Sequence, residues 1–130
     1  MESSTSNMIT AVIAVCAIAS PILTALINNH HARRMKKLEM RLERDKEALF
    51  YKRSIYEDYL RNTANYIACR TEKNANLYSS SYALALVYFP EELQSEIINI
   101  NTHIFGLLMD RARCELDTLA PKIRAILQQL

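Results

Sequence analysis

Histidines and cysteines are typical ligands of transition-metal ions, and this sequence contains three of each. His30 and His31 are adjacent, so on a helix their side chains point in different directions and cannot chelate one ion as residues four apart would. His103 lies beside an apolar seam, where a hydrogen-bonded boundary histidine is expected. Cys69 and Cys114 could approach each other between facing helices, but two cysteines without a histidine make a poor metal site. We therefore predict no metal ion and no other cofactor.

Nucleophilic and phosphate-binding motifs are also missing from the sequence. No serine or cysteine is flanked by the residues of a nucleophile motif, and the carboxylates fall within charged helical faces. A phosphate-binding loop needs several glycines close together, whereas Gly106 is the only glycine of the chain. The net charge of +2 is too small to imply nucleic-acid binding. We therefore expect no enzymatic activity, no nucleic-acid partner and no small-molecule substrate.

Glycine and proline are scarce, and this scarcity predicts the fold class. One glycine and three prolines among 130 residues leave few positions for the tight turns of a hairpin-rich β protein. Long uninterrupted helices are expected instead, so the predicted class is all-α. The three cysteines, which include Cys16, are odd in number and widely spaced, a pattern typical of reduced thiols and not of a disulfide framework.

Residues 8–27 form an uncharged segment, MITAVIAVCAIASPILTALI, of the length that a helix needs to cross a membrane. Pro21 is tolerated in a spanning helix because local adjustment and neighbouring hydroxyls, here those of Ser20 and Thr24, can satisfy the freed carbonyl. Two alternatives remain open. A signal peptide could be cleaved after Ala19, although no basic residue precedes the segment and the apolar run continues past that site. A buried helix of a soluble protein would seldom carry twenty uncharged residues.

The charges that flank this segment predict its orientation. Residues 1–7 contain no lysine or arginine, whereas a basic cluster follows the segment. The basic cluster consists of Arg33, Arg34, Lys36 and Lys37. By the positive-inside rule, residues 1–7 form a short tail outside the cell, and the C-terminal body of this single-pass protein of the cell membrane is cytoplasmic. The basic cluster is expected to contact membrane headgroups, with a gain of about 1 kcal/mol per charge.

Residues 28–49 are predicted to form a charged juxtamembrane helix. Between Arg33 and Glu47, eleven of fifteen residues are charged, with both signs mixed, and the others are good helix formers. A thin apolar seam runs through these charges, interrupted by Asp45. Its residues are Met35, Leu38, Leu42 and Leu49. A narrow stripe of this kind favours a coiled-coil contact. The alternative is a solvated stalk that holds the body away from the membrane.

Residues 50–130 are predicted to fold as a helical bundle. A wide apolar face follows Phe50 and comprises Ile55, Tyr56, Tyr59, Leu60, Thr63, Tyr66 and Ile67. Its tyrosines are interpreted as boundary residues with a buried ring and a hydrated hydroxyl. The polar stretch 71–76 predicts a loop, and the apolar stretch 77–89 predicts a helix. That helix is expected to end at Phe89-Pro90, because the residue before proline disfavours the helical region.

The final helix is predicted to carry a heptad seam, in which apolar residues recur at alternating steps of four and three. The seam consists of Ile98, Thr102, Phe105, Met109, Ala112, Leu116, Leu119, Ile123, Ile126 and Leu130. We expect a kink or short break near Leu119–Pro121, because proline interrupts the hydrogen-bond ladder. An antiparallel hairpin or three-helix bundle, with Phe50–Arg70 against the final helix Pro90–Leu130 and the shorter helix alongside, would bury the seam. The candidate surface for self-association or a partner is formed by Phe105, Met109, Leu116, Leu119, Ile123 and Ile126.

The layout of the chain combines one N-terminal span, the charged stretch RRMKKLEMRLERDKEALFYKRSIYEDYL and a helical hairpin broken at Phe89-Pro90-Glu91-Glu92. It resembles that of small uncharacterised membrane proteins of bacteria and their prophages, a resemblance that covers the whole chain and implies no activity or site residues.

We expect a membrane-anchored interaction or scaffold protein, whose partners are the lipid bilayer and either a second copy or another protein. The alternative is a membrane-active protein of the holin or small-toxin type, whose spans associate through small residues. Those residues would include Ala14, Ala17, Ala19 and Ser20.

Overall fold

Four α-helices and no strand make up residues 2–130, which are the residues that the computed structural model describes. The helices are α1 (Glu2–Ala68), α2 (Glu72–Tyr88), α3 (Glu91–Phe105) and α4 (Met109–Gln129). The predicted all-α class is therefore confirmed. The chain divides into two compact units, Met1–Asp45 and Lys46–Leu130, whereas the sequence suggested a bundle that starts at residue 50.

The first unit consists of the N-terminal part of α1, which continues through Pro21. Pro21 has no N–H group, so the carbonyl of Ala17, four residues earlier, loses its helical donor. The Thr24 hydroxyl donates to the Ser20 carbonyl at 2.9 Å, one turn away from the carbonyl that Pro21 frees. The Thr10 hydroxyl donates to the Ser6 carbonyl in the same way, at 2.9 Å. Both threonines therefore satisfy their hydroxyl groups within their own helix.

The second unit begins with the C-terminal part of α1, which packs against an antiparallel α2. Early residues of the α1 part lie at the C-terminal end of α2: the ring of Tyr56 stacks on that of Phe89, the C-cap of α2, with ring centroids 4.4 Å apart. Farther along, Asn62 donates to the Ser81 hydroxyl at 2.6 Å. The predicted wide face of α1 is confirmed, with Ile55, Tyr56, Tyr59 and Thr63 buried and Leu60, Tyr66 and Ile67 partly buried.

The predicted loop at 71–76 is wrong, because α2 already begins at Glu72. The polar residues of this stretch serve as caps: Thr71 is the N-cap, and its hydroxyl accepts a hydrogen bond from the backbone N–H of Asn74 at 3.2 Å. The Asn74 side chain also donates to the carbonyl of Cys69 at 2.8 Å, across the turn from α1. The predicted end of this helix at Phe89-Pro90 is confirmed.

The predicted single last helix, Pro90–Leu130, is also wrong, because residues 106–108 separate α3 from α4. Gly106 ends α3 with a negative φ of −76°, and a Cβ there would lie 3.2 Å from the Thr102 carbonyl oxygen. Leu107, in the turn, has a positive φ of 59°. Residues other than glycine rarely adopt this backbone conformation. The glycine thus permits a close backbone approach, and the leucine reverses the chain.

The buried face of α3 differs from the predicted one. The buried residues are Leu93, Ile97, Ile100 and Ile104, whereas Ile98, Thr102 and Phe105 of the predicted seam are exposed. Both sets follow steps of four and three, so periodicity alone could not choose between them.

The predicted seam of α4 does face the core. Its buried residues are Ala112, Leu116, Leu119 and Ile123. Of the kink or short break expected near Leu119–Pro121, the break is absent, since α4 continues to Gln129; the kink stays a prediction. Leu119 and Ile123 are both fully buried, so packing fixes the helix on either side of the proline.

Two buried tyrosines differ in their hydrogen bonds. Tyr78 donates its hydroxyl hydrogen to Asn101 Oδ1 at 2.8 Å. Within residues 2–130 the Tyr59 hydroxyl has no partner in hydrogen-bond geometry, although the Thr63 hydroxyl lies close to it and is equally buried and unpaired. Desolvation raises the pKa of both phenols far above the usual range, so both remain neutral at physiological pH.

The predicted boundary position is wrong for Tyr56 and Tyr59, which are fully buried.

The same substitution at these two tyrosines is expected to have opposite effects. Tyr78→Phe leaves Asn101 without its donor, and we expect it to lower the free energy of unfolding by about 1 kcal/mol. Tyr59→Phe removes an unpaired buried hydroxyl, and we expect it to raise that free energy or leave it unchanged. Urea unfolding of the full chain in detergent, read by pulse proteolysis, measures both. Equal losses of stability in the two variants would contradict the unpaired state of the Tyr59 hydroxyl.

Candidate functional site

The apolar segment 8–27 exposes its large side chains on every side of α1. Their exposed fractions run from 56% for Ile22 to 69% for Met8, and the segment makes no buried contact in the first unit. Each such side chain left in water forgoes about 1.5–3 kcal/mol of burial free energy. By length and composition, α1 is the one helix of the described residues that could cross a membrane. A core helix of a soluble protein would instead have a buried face.

The basic cluster lies on α1 shortly after this segment. All four side chains are exposed, and within residues 2–130 none of them forms an ion pair. At 1.5 Å per residue, Arg33 follows Ile27 by about 9 Å along the helix axis. The headgroup layer on each side of a hydrocarbon core is about 5–8 Å thick, so the Arg33 backbone would lie just outside that layer. The long side chains of the basic cluster can reach back toward the interface.

The candidate seam is divided by the structure into core and surface. Leu119 and Ile123 are fully buried, Leu116 is 7% exposed, and Met109 and Ile126 are partly buried against the same core. Phe105, by contrast, is 77% exposed. Side chains that already form the core of the bundle are not available to a partner, so of the six candidates only Phe105 presents a large free surface.

The histidines do not assemble a metal site in the part of the chain that the structure describes. No group of three potential ligands occurs within residues 2–130. His103 pairs through Nδ1 with Glu115 Oε2 at 2.8 Å, which joins α3 to α4 and confirms the expected hydrogen-bonded boundary histidine. His30 and His31 are exposed on α1. Cys69 and Cys114 are exposed free thiols.

Comparison with known proteins gives no indication of the function of this chain. No known protein family, curated protein or solved structure matches this chain. Function is therefore inferred from the contacts and exposed surfaces of the chain itself.

Two further apolar surfaces of the bundle were not identified from periodicity. The turn between α3 and α4 exposes Leu107 at 68% and Leu108 at 45%, beside Phe105. The outer face of α2 exposes Leu84 and, at 74%, Val87. A signal for the second surface was present in the sequence, because residues 74–90 contain no charged side chain at all. Charged residues normally cover a solvated helix face, so their absence over this length is a sequence signal for a contact surface.

Proposed function

We propose that this protein is a single-pass membrane protein whose helical bundle acts as a scaffold or interaction module. One observation carries the proposal: the segment 8–27 is uncharged, helical and exposed on all sides, with no protein surface in its unit to bury it. The hydrocarbon core of a membrane would remove these apolar side chains from water. It also requires the backbone hydrogen bonds to be made within the segment, as they are in a helix.

The basic cluster supports an orientation for this anchor. The seven residues before the segment contain no lysine or arginine, whereas four basic side chains follow it within ten residues. We infer that the cluster lies at the cytoplasmic headgroups and that the bundle is cytoplasmic. Because these four residues form no ion pairs within residues 2–130, they are free to contact anionic lipids.

The bundle has the properties of an interaction module. Its core is complete, with fourteen buried hydrophobic residues contributed by all four helices, so it does not rely on a partner to cover that core. Its surface retains apolar residues at the turn between α3 and α4 and on α2. Surfaces of this kind, rimmed by polar residues, are typical of protein contacts.

The native cysteines allow a direct test of anchoring and orientation. Cys16 lies in the middle of segment 8–27, and Cys69 and Cys114 are exposed in the bundle. We expect the full chain to stay in the membrane fraction after an alkaline carbonate wash. In variants with a single cysteine, a membrane-impermeant maleimide should label Cys69 or Cys114 only after the cells are permeabilised. Cys16 should resist labelling until the membrane is dissolved.

A cysteine in the N-terminal tail provides the matched control. Ser4→Cys, in a chain whose native cysteines are replaced by alanine, should be labelled in intact cells. Recovery of the chain in the carbonate supernatant would contradict the anchor. Labelling of Cys69 in intact cells, together with protection of Ser4→Cys, would contradict the orientation and leave the anchor intact.

A further inference from the structure

We propose that α1 pairs in parallel with α1 of a second copy, along one stripe that runs from the membrane span into the juxtamembrane helix. This inference rests on the proposed membrane anchor and names the partner of that anchor. The α1 stripe consists of Thr10, Ala14, Ala17, Pro21, Thr24, Asn28, His31, Met35, Leu38 and Leu42. Its residues follow one another at alternating steps of four and three without a gap.

The aqueous end fixes the position of the stripe. Met35, Leu38 and Leu42 are 46%, 51% and 60% exposed, and no other part of the first unit covers them. Apolar residues at steps of three and four, on a helix whose other residues from Arg33 to Glu47 are all charged except Met40, form the seam of a coiled coil. In water such a seam is stabilised by burial against an equivalent seam, and a second copy anchored in the same membrane supplies one in parallel.

Within the span, the stripe positions given by the same spacing hold only alanine, threonine and proline. Half of the twenty residues in segment 8–27 are Met, Ile, Leu or Val, yet none of these ten falls on the stripe. In lipid, apolar burial does not drive helix pairing. Pairing is stabilised instead by van der Waals packing at small residues, which allow the two backbones to approach closely. The stripe therefore changes from small residues to large apolar ones where the solvent changes from lipid to water.

Hydrogen bonding within the span is compatible with close packing on this stripe. Thr10 and Thr24 are its two hydroxyl residues in the span, and each donates to the carbonyl four residues earlier at 2.9 Å. Neither hydroxyl needs a partner on the facing helix, so each threonine can present its methyl group. No free side-chain donor of the stripe would then be trapped in the contact between the two spans.

In a parallel coiled coil the charges beside the stripe form one attractive pair, Arg34 with Glu39, and one like-charge pair, Arg41 with Lys46, which lies where Asp45 ends the apolar contact. Three of the four basic-cluster residues, Arg33, Lys36 and Lys37, lie on the outer side of the helix, where they remain available to headgroups. Arg34 flanks the stripe, and in a parallel coiled coil it faces the residue five positions later on the other helix, which is Glu39. Two such ion pairs form by symmetry. Asp45 takes the next stripe position after Leu42 and ends the apolar contact there.

Cysteine crosslinking in native membranes tests the stripe residue by residue. In a full chain whose native cysteines are replaced by alanine, Leu38→Cys and Leu42→Cys place thiols at the seam, where equivalent Cα atoms lie within disulfide range. Met40→Cys, two residues from both Leu38 and Leu42, places a thiol on the side of the helix that faces away from the seam. After mild oxidation we expect covalent dimer from the two seam variants to exceed that from Met40→Cys by about tenfold, since only seam positions meet the geometric requirement.

A matched pair of span variants tests whether the stripe is continuous. Ala17 lies on the stripe and Ala19 on the opposite side, and isoleucine at either position makes the span equally more apolar. With Leu38→Cys as reporter, we expect Ala17→Ile to weaken the association about tenfold and Ala19→Ile to leave it unchanged. An equal effect of both variants, or of neither, would overturn the continuous stripe.

The outcomes separate this inference from the proposed anchor. If the chain is recovered outside the membrane fraction, the anchor fails, whatever crosslinks form. If the chain is in the membrane but Met40→Cys crosslinks as well as Leu38→Cys, the stripe is wrong and the anchor stands. A seam crosslink to a species whose mass is not that of a second copy would also overturn the proposal, because it would identify a different partner.

Discussion

We expect Leu119→Ala to lower the free energy of unfolding of the bundle by about 3 kcal/mol, which is a large part of the stability of a domain of this size. Leu119 is fully buried in α4, one turn before Ile123, which is also fully buried. Truncation to alanine removes apolar contacts and leaves a cavity that the surrounding helices can fill only in part. Urea unfolding of the full chain in detergent, with pulse proteolysis as the readout, measures the loss.

Phe105 is the matched control for this substitution, because the sequence places both residues on one heptad seam. In the structure Phe105 is 77% exposed, so Phe105→Ala should change the stability by no more than about 0.5 kcal/mol. A large loss from Phe105→Ala would mean that Phe105 is buried with the rest of the predicted seam. A small loss from Leu119→Ala would place the core of the bundle elsewhere.

We expect the double variant Val15→Arg, Ile18→Arg to lose its membrane association. Both positions lie near the middle of segment 8–27, where an arginine costs about 3 kcal/mol of insertion free energy. Neither position lies on the α1 stripe, so the variant tests the bilayer contact and not the proposed pairing. The measurement is the fraction of chain that remains with the membrane after an alkaline carbonate wash.

The control for this variant places the same charges on side chains that are equally exposed in the bundle. Val15 and Ile18 are 65% and 67% exposed, and Val87 and Leu107 are 74% and 68% exposed. We expect Val87→Arg, Leu107→Arg to remain in the membrane fraction, because these residues face water and an exposed substitution has little effect. Membrane retention of both double variants would show that segment 8–27 does not lie in the hydrocarbon core.

Features that depend on local chemistry could be predicted from the sequence. The scarcity of glycine and proline predicted helices throughout, and the Phe89-Pro90 pair predicted the end of α2, because proline restricts its predecessor wherever it occurs. The buried face of α1 was also predictable, since the spacing from Ile55 to Thr63 allows only one broad apolar face. Tertiary packing was not needed for any of these three predictions.

Features decided by packing could not be predicted in the same way. In α3, the set that begins at Leu93 and the set that begins at Ile98 have equally regular spacing, and only contacts with the other helices select the first. The steps of four also continue from Phe105 to Met109 across the turn, so the period gave no sign of the break at residues 106–108. At Pro121 no break occurs, and α4 continues between Leu119 and Ile123, two fully buried neighbours on either side of the proline.

The distribution of tyrosines along the chain has a practical consequence for spectroscopy. All seven tyrosines lie between residues 51 and 88, and the chain has no tryptophan. Tyr66, Tyr78 and Tyr82 form consecutive stacked pairs, with ring centroids 5.4 Å and 6.0 Å apart. Near-ultraviolet circular dichroism, which reports fixed aromatic packing, will therefore record the folding of the bundle alone. The far-ultraviolet signal will include the long N-terminal helix, so the two spectral regions together can follow the two units of one chain separately.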